Sequence, residues 1–152
     1  MVTEQIIDKT LDLLHTGENF DDSSIILIDE HPEVIAYLDS ESFDILIEEE
    51  KDVLWYCLVV LYTAIKDGKD HLQQRDVKEI EAKEEENYEV LGDNNMKYSE
   101  MCNLLFEDTK EEDLLAFIED FLVPDEDEDD ITPTGRKVLF ITLKTMVDVW
   151  SS

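Results

Sequence analysis

Residues 53–62 have the sequence VLWYCLVVLY, the most hydrophobic stretch of the chain. Apolar side chains there cover the whole circumference of a helix, which is typical of a helix surrounded by neighbours. Valine, tryptophan and tyrosine also favour strands, so a buried strand is the competing interpretation. Length favours a helix, because the apolar pattern continues through Ala64 and Ile65 toward Gly68. We therefore predict a central hydrophobic helix over residues 53–66.

The chain before this central helix carries weaker signals. Thr3 can cap a first helix, which Gly17 is expected to end in a left-handed conformation. Residues 25–28 are apolar and are compatible with either a helical turn or a buried strand. A further helix over residues 43–47 is expected to end in three solvated acidic side chains: Glu48, Glu49 and Glu50.

The chain after the central helix carries clearer helix signals. Residues 70–91 predict one long charged helix. Thr109 and Glu112 have the spacing of a capping box ahead of the best amphipathic pattern in the chain. Pro133 is placed for the first turn of a last helix. The sequence as a whole thus predicts an all-α single-domain bundle of about six to eight helices over residues 1–152.

The charge of the chain limits its partners. Asp and Glu number 41 against 12 Lys and Arg, which gives a formal net charge of −29. Such a chain repels phosphate backbones and anionic membrane surfaces, so we expect it to bind neither nucleic acid nor membranes directly. A basic protein is the expected partner, because complementary charge accelerates association and sets the register of docking.

The acidic residues are concentrated in two blocks. No Lys or Arg lies between Glu18 and Glu50, and Lys110 is the one base between Glu107 and Asp130. Like charges one helical turn apart are destabilising, so stability alone would intersperse the signs. The predicted partner-binding face comprises Asp21, Asp22, Asp29, Glu30, Glu48, Glu49, Glu50, Asp125, Glu126, Asp127, Glu128, Asp129 and Asp130. The last six belong to a predicted exposed loop at 124–131. The other interpretation, that the acidity serves solubility, stays open.

The C-terminal segment has a slight positive charge. Steps of seven and four residues place Lys137, Lys144 and Asp148 on one predicted polar face. Residues 131–137, ITPTGRK, resemble the Leu-Thr-x-x-Gly-Arg stretch at the end of the wing in winged-helix DNA-binding proteins. The resemblance covers seven residues, and the segments before it are acidic where a recognition helix would be basic. We therefore interpret these residues as a polar turn and a helix start.

The two cysteines and three histidines do not form a metal-binding or catalytic pattern. Cys57 and Cys102 lie in apolar helical patterns and are predicted to be reduced and buried, although a disulfide between them stays open. The histidines are far apart in sequence and lack metal-ligand spacing: His15, His31 and His71. The sequence predicts no zinc site.

The acidic run at 125–130 shares several positions with a calcium-binding loop. Asp125, Asp127 and Asp129 match the first ligand positions of an EF-hand. Asp130 and Arg136 stand where that loop requires glycine and glutamate, so a tuned calcium site is not expected, and weak divalent cation binding at 125–130 stays open. No cofactor, metal or enzymatic activity is predicted, because no nucleophile or phosphate-binding motif occurs either.

These observations predict a non-catalytic acidic protein that inhibits or neutralises a basic partner. An immunity-type protein, an anti-defence protein or a DNA mimic that covers a nuclease, toxin or nucleic-acid-binding protein has this chemistry. The alternative is a helical adaptor or scaffold that docks through an apolar groove. Its exposed aromatic candidates are Phe20, Tyr88, Tyr98 and Trp150.

The cellular location follows from what the chain lacks. No basic segment followed by an apolar stretch opens the sequence, so a signal peptide is not expected. The longest apolar run is shorter than the ~20 residues of a membrane span. We therefore predict a cytoplasmic protein, while its oligomeric state stays open.

Overall fold

The computed structural model describes residues 1–67, 69, 72–92, 96–107, 109–123 and 131–151, except for the side chain of Ser42. The α-helices are α1 (Glu4–Leu13), α2 (Gly17–Glu30), α3 (Pro32–Leu38), α4 (Glu48–Lys66), α5 (Val77–Leu91), α6 (Tyr98–Glu107), α7 (Glu112–Leu122) and α8 (Pro133–Ser151), with a short 3₁₀ helix at Glu41–Phe43. No strand occurs within these residues. The predicted all-α bundle is confirmed.

Two long helices, α4 and α8, form the centre of the bundle. Residues 57–62 of α4 and 139–147 of α8 are almost completely buried. A helix that is apolar on all sides needs neighbours on all sides. α1 and α2 pack against α4, α5 to α7 pack against α8, and the two central helices contact each other. The predicted central helix is therefore confirmed, and the strand interpretation of residues 53–62 is wrong.

The N-terminal helices are defined by threonine caps. The Thr3 side chain accepts a hydrogen bond from the Ile6 backbone N–H, as expected of a first cap. The Thr16 side chain accepts a hydrogen bond from the Asn19 backbone N–H, and α2 begins at Gly17. The prediction that Gly17 ends α1 in a left-handed conformation is wrong. Residues 25–28 lie inside α2, so the helical interpretation of this run is confirmed and the strand interpretation is wrong.

The three consecutive glutamates begin a helix. Ile47 has extended backbone angles, and its N–H donates to the Glu50 carboxylate at 2.9 Å, which starts α4 at Glu48. Carboxylates are favoured in a first turn by the helix dipole. The prediction that this triplet ends a preceding helix is wrong, and α4 starts before residue 53.

Helix starts in the second half differ from two predictions. Asp76 caps α5 through the Lys78 N–H, so the helix begins later than residue 70. Thr109 accepts from the Glu111 N–H and does not form the predicted capping box. Pro133 begins α8 as predicted, and the residues that resemble a wing form its N-terminal turn.

α3 packs against α5 through a buried tyrosine. The hydroxyl of Tyr37, which is 1% exposed, donates to the Glu84 carboxylate. Burial raises the pKa of Glu84 above its ordinary 4.5, and nearby Glu81 acts in the same direction, while the Tyr37 hydrogen bond opposes them. The folded chain therefore binds a proton at Glu84 more readily than the unfolded chain does.

The raised pKa of Glu84 predicts a pH-dependent stability difference. A carboxyl with a raised folded pKa stabilises the fold below its unfolded pKa and loses that contribution as pH rises through the folded value. We expect Glu84→Gln to be more stable than the native chain at pH 7, with a gap that narrows toward pH 4.5. Urea unfolding across this range measures the gap. Glu85→Gln, from an exposed position of α5, is the matched control. A gap independent of pH would contradict the prediction.

Candidate acidic interaction surface

The outer face of α2 carries the first described part of the predicted acidic surface. Its four members are all exposed: Asp21, Asp22, Asp29 and Glu30. Helical spacing places Ile25 and Ile26 between Asp22 and Asp29. These isoleucines are 56% and 43% exposed, and Ile28 beside them is 45% exposed. The face is therefore both apolar and negatively charged.

Glu30 differs from the other acids of α2 because it has partners. Its Oε2 accepts from the Tyr62 hydroxyl at 2.6 Å and from Lys66 Nζ at 3.2 Å. The hydrogen bond from Tyr62 is the main cause of its lowered pKa. Asp22 and Asp29 form no ion pair within the described part of the chain. The charge of Glu30 is thus partly offset, whereas no ion pair within the described residues offsets that of Asp22 or Asp29.

The second part of the predicted surface lies at the start of α4, and one of its members is misplaced. Glu48 and Glu49 are exposed, but Glu50 is 0% exposed. Its carboxylate accepts from the backbone N–H of Ile47 and from both the N–H and the hydroxyl of Thr132. Placing Glu50 on an exposed acidic face was wrong, because these hydrogen bonds hold it inside the bundle.

The third predicted part lies almost entirely outside the described residues. It comprises Asp125, Glu126, Asp127, Glu128, Asp129 and Asp130, together with the comparison to a calcium loop. Ile131, the last residue of the predicted exposed loop at 124–131, is half-buried against the core. Whether the two acidic blocks join in one surface therefore stays a prediction.

Two of the three cations of α8, Arg136 and Lys144, lie inside the fold, and Lys137 is half-buried. Arg136 is 4% exposed, and its Nε donates to the Leu122 carbonyl at 2.6 Å. Lys144 is 0% exposed and donates to Asn87 at 3.0 Å and Asp148 at 2.7 Å. The predicted polar face containing Lys144 is therefore wrong. The slightly basic C-terminal segment adds little positive charge to the surface.

A row of glutamates on α5 was not singled out from the sequence. Glu81, Glu85 and Glu89 are exposed and follow one another at four-residue steps, about 6 Å apart along the helix. Lys83 lies among them but pairs with Glu86 at 3.0 Å. The four-residue spacing was visible in the sequence, but interspersed lysines made the segment look balanced.

The aromatic residues proposed for an apolar docking site are mostly inside the bundle. Trp150 is 5% exposed and packs against His31, so its predicted exposure is wrong. Phe20 and Tyr98 are half-buried. Tyr88 is 40% exposed, in agreement with the prediction. Of the four candidates, Tyr88 alone is exposed as predicted.

The two thiols and His31 are arranged for packing. Cys57 and Cys102 are free and buried, and burial raises the pKa of each to about 12, which makes them poor nucleophiles. His31 is buried, with Nδ1 2.8 Å from the Glu33 carboxylate. No group of three or more His, Cys, Asp or Glu within the described ranges could hold a metal ion. None of the helices there has the length and apolar content needed to cross a membrane.

Comparison with known proteins adds no relative from which a role can be transferred. No protein-family model, no curated protein and no solved structure matches this chain. Its function has to be inferred from the exposure, charge and contacts of its own residues.

Proposed function

We propose that this protein is a non-catalytic acidic binding protein that covers a basic surface of a protein partner. The observation that carries the proposal is the unequal exposure of the two charge types. Most described carboxylates are exposed, the exceptions being Glu33, Glu50, Glu84, Glu111, Glu119 and Asp148. Half of the cations are buried or half-buried: Lys66, Arg75, Lys83, Arg136, Lys137 and Lys144. The ratio of acidic to basic groups is therefore higher among the exposed described residues than in the composition as a whole.

The α2 face is the docking surface that we propose. Charge complementarity mainly raises association rates and specificity, so lasting affinity needs apolar contact as well. Ile25, Ile26 and Ile28 supply that contact directly beside Asp22 and Asp29. Solubility alone does not account for this arrangement, because exposed isoleucines work against it.

A nucleic-acid-binding partner is the class that the spacing of the acids favours. Glu18 lies one helical turn before Asp21 and Asp22, where carboxylates are about 5–6 Å apart. A basic surface built to bind a phosphate backbone receives closely spaced negative charges of this kind. We therefore propose an inhibitor of a nuclease, toxin or other nucleic-acid-binding protein, of the immunity, anti-defence or DNA-mimic type. We also propose a cytoplasmic location, which the two free buried thiols support.

Capture of a partner by the full chain tests the proposal. We expect the immobilised protein to retain a basic protein from a lysate of its own cells at about 0.05 M salt and to release it at about 1 M. The purified partner should lose its nucleic-acid binding when the acidic protein is added. Failure to retain any basic protein at low salt would contradict the proposed function. A partner that stays bound at high salt would indicate the adaptor alternative.

A pair of charge-matched variants locates the docking surface. Asp21→Asn/Asp22→Asn/Asp29→Asn removes three charges from α2, and Glu81→Gln/Glu85→Gln/Glu89→Gln removes three from α5. We expect the α2 variant to bind the captured partner about tenfold more weakly, a loss of ~1.4 kcal/mol. The α5 variant should lose much less. Equal losses would show that total charge, and not the α2 face, governs binding.

A further inference from the structure

A groove between α1 and α7 lies apart from the outer face of α2 and encloses about 470 Å³. The backbone N–H of Val2 donates to Glu111 at 2.9 Å, and that of Glu4 donates to Asp113 at 3.2 Å. In both pairs the two residues are 109 positions apart in the sequence. The helices α1 and α7 therefore start at the same end of the groove and run side by side in the same direction.

The groove combines an apolar floor with acidic walls. The floor consists of Ile7, Leu11, Ala116, Phe117 and Phe121. The walls carry carboxylates from both helices: Glu4, Asp8, Asp113 and Asp120. None of the residues that line this groove is a lysine or arginine. The groove is thus apolar at its base and negative along both sides.

Stacked aromatic rings extend the floor beyond the groove. Phe121 is 41% exposed and stacks on Tyr56 with ring centroids 5.5 Å apart. Tyr56 stacks in turn on Phe20 at 5.8 Å, and Phe117 lies 5.9 Å from Phe121. An exposed apolar surface in a concavity marks a binding site more often than a flat patch does.

Folding stability explains only two of the wall carboxylates. Glu4 and Asp113 lie in the first turns of α1 and α7, where the helix dipole favours negative charge. None of the wall carboxylates forms an ion pair with another described residue. Asp120 lies in the last turn of α7, where the helix dipole disfavours negative charge. Glu4 and Asp8 are four residues apart on one face and repel each other. The positions of Asp8 and Asp120 are therefore better explained by a ligand of opposite charge.

We propose that the groove binds a positively charged amphipathic helix of a partner protein. This inference rests on the proposed function and gives the basic partner a second contact with the chain. Apolar residues of that helix at i, i+3, i+4 and i+7 fill the floor. Lysines or arginines on its two flanks pair with Asp8 on one wall and Asp120 on the other. α1 has 10 residues and is about 15 Å long, so the groove receives about three helical turns.

Other occupants match this chemistry less well. A neutral helix would desolvate the carboxylates of Asp8 and Asp120 without giving them partners, which costs free energy. A second copy of this chain presents acidic outer faces on α2 and α5, so its exposed helices would be repelled. A basic helix satisfies both the floor and the walls.

A displayed peptide library tests the proposal without a native partner. The library presents helices of about four turns with apolar residues fixed at i, i+3, i+4 and i+7 and flanking positions randomised among Lys, Gln and Glu. Selection on the full chain should enrich lysine on both flanks. We expect Asp8→Asn/Asp120→Asn to bind the selected peptides about tenfold more weakly in fluorescence anisotropy.

A charge-matched control separates the groove from the general acidity. Asp22→Asn/Asp29→Asn also removes two charges, and it should change the affinity less than about twofold. Phe121→Ala should weaken binding although it changes no charge, and circular dichroism verifies that each variant is folded. Enrichment of Gln or Glu, or equal losses for the two double variants, would overturn the inference. Because the peptide experiment needs no native partner, it can contradict the groove proposal independently of the capture experiment, which tests the proposed function.

Discussion

We expect Glu50→Ala to lower the free energy of unfolding by about 3–5 kcal/mol, because it removes three hydrogen bonds to a buried carboxylate. Oε1 of Glu50 accepts from the Ile47 N–H at 2.9 Å. Oε2 accepts from the N–H of Thr132 at 3.0 Å and from its hydroxyl at 2.9 Å. Hydrogen bonds to a charged group contribute about 1.5–3 kcal/mol each. The carboxylate also lies at the N-terminus of α8, where the helix dipole stabilises an anion.

The size of this effect follows from where Glu50 lies. It connects the start of α4 to the start of α8, the two central helices of the bundle. A domain of this size is stable by about 5–15 kcal/mol in total, so the variant should unfold at much lower urea concentration. Tryptophan fluorescence, reporting Trp55 and Trp150, follows the transition. Glu49→Ala, from an exposed position of the same first turn, is the control, and an equal loss for both variants would contradict the prediction.

Gly135 provides a second test of the same contact. A Cβ at this position would overlap the Glu50 carboxylate, which its hydrogen bonds prevent from moving away. We therefore expect Gly135→Ala to be destabilising as well. In Glu50→Ala/Gly135→Ala the overlap is gone, so the two losses should fall short of additivity by about 1 kcal/mol or more. Strict additivity would mean that the two residues do not constrain each other.

The burial of Glu50 shows where the sequence analysis failed and why. Hydrophobicity located the central helix correctly but suggested a start near residue 53, because the preceding glutamates look solvated. With the helix starting at Glu48, residue 50 falls on the same face as Leu54, Cys57 and Leu61. That periodicity is present in the sequence. Its meaning depends on the helix boundary, which the carboxylate of Glu50 itself helps to define.

Local signals were otherwise good guides to the fold. The cap at Thr3, the helix start at Pro133 and the central helix all depend on residues close together in sequence, and the structure has each of them. Gly17 was misjudged because a glycine is compatible with both the end of one helix and the start of the next. Thr16 decides between them by accepting the Asn19 N–H.

The candidate sites depend more on tertiary contacts. Exposure of the α2 aspartates was predictable, because short charged side chains rarely enter a core without partners. The α1–α7 groove was not, since its walls come from segments more than a hundred residues apart, joined by contacts such as Glu4 with Asp113. No local periodicity indicates which two helices will be neighbours.

Lys144 is the residue for which tertiary context changes the interpretation most. Its seven-residue and four-residue spacing from Lys137 and Asp148 suggested a polar surface. The ammonium group is instead fully buried, and one of its acceptors, Asn87, comes from α5. Asn87 also donates to Thr145 Oγ1 at 3.1 Å and to Asp148 at 3.2 Å. A buried charge of this kind is tolerated when hydrogen bonds and an opposite charge surround it.

Removal of the acidic partner of Lys144 should therefore be far more costly than removal of Lys144 itself. We expect Asp148→Asn to lower the free energy of unfolding by about 3–5 kcal/mol, because the buried ammonium loses the carboxylate that balances its charge. Lys144→Met should cost less, since the side chain of Asp148 is 13% exposed and can be hydrated, whereas that of Lys144 is 0% exposed.

The double variant distinguishes this explanation from a simple loss of packing. Lys144→Met/Asp148→Asn contains no buried ammonium, so it should recover most of the stability that Asp148→Asn loses, as replaced buried ion pairs commonly do. Urea unfolding of the three variants at one pH gives the coupling between the two residues. If the double variant were less stable than Asp148→Asn, the loss would come from the shape of the site. In that case Asp148 would not stabilise the fold mainly by balancing the charge of Lys144.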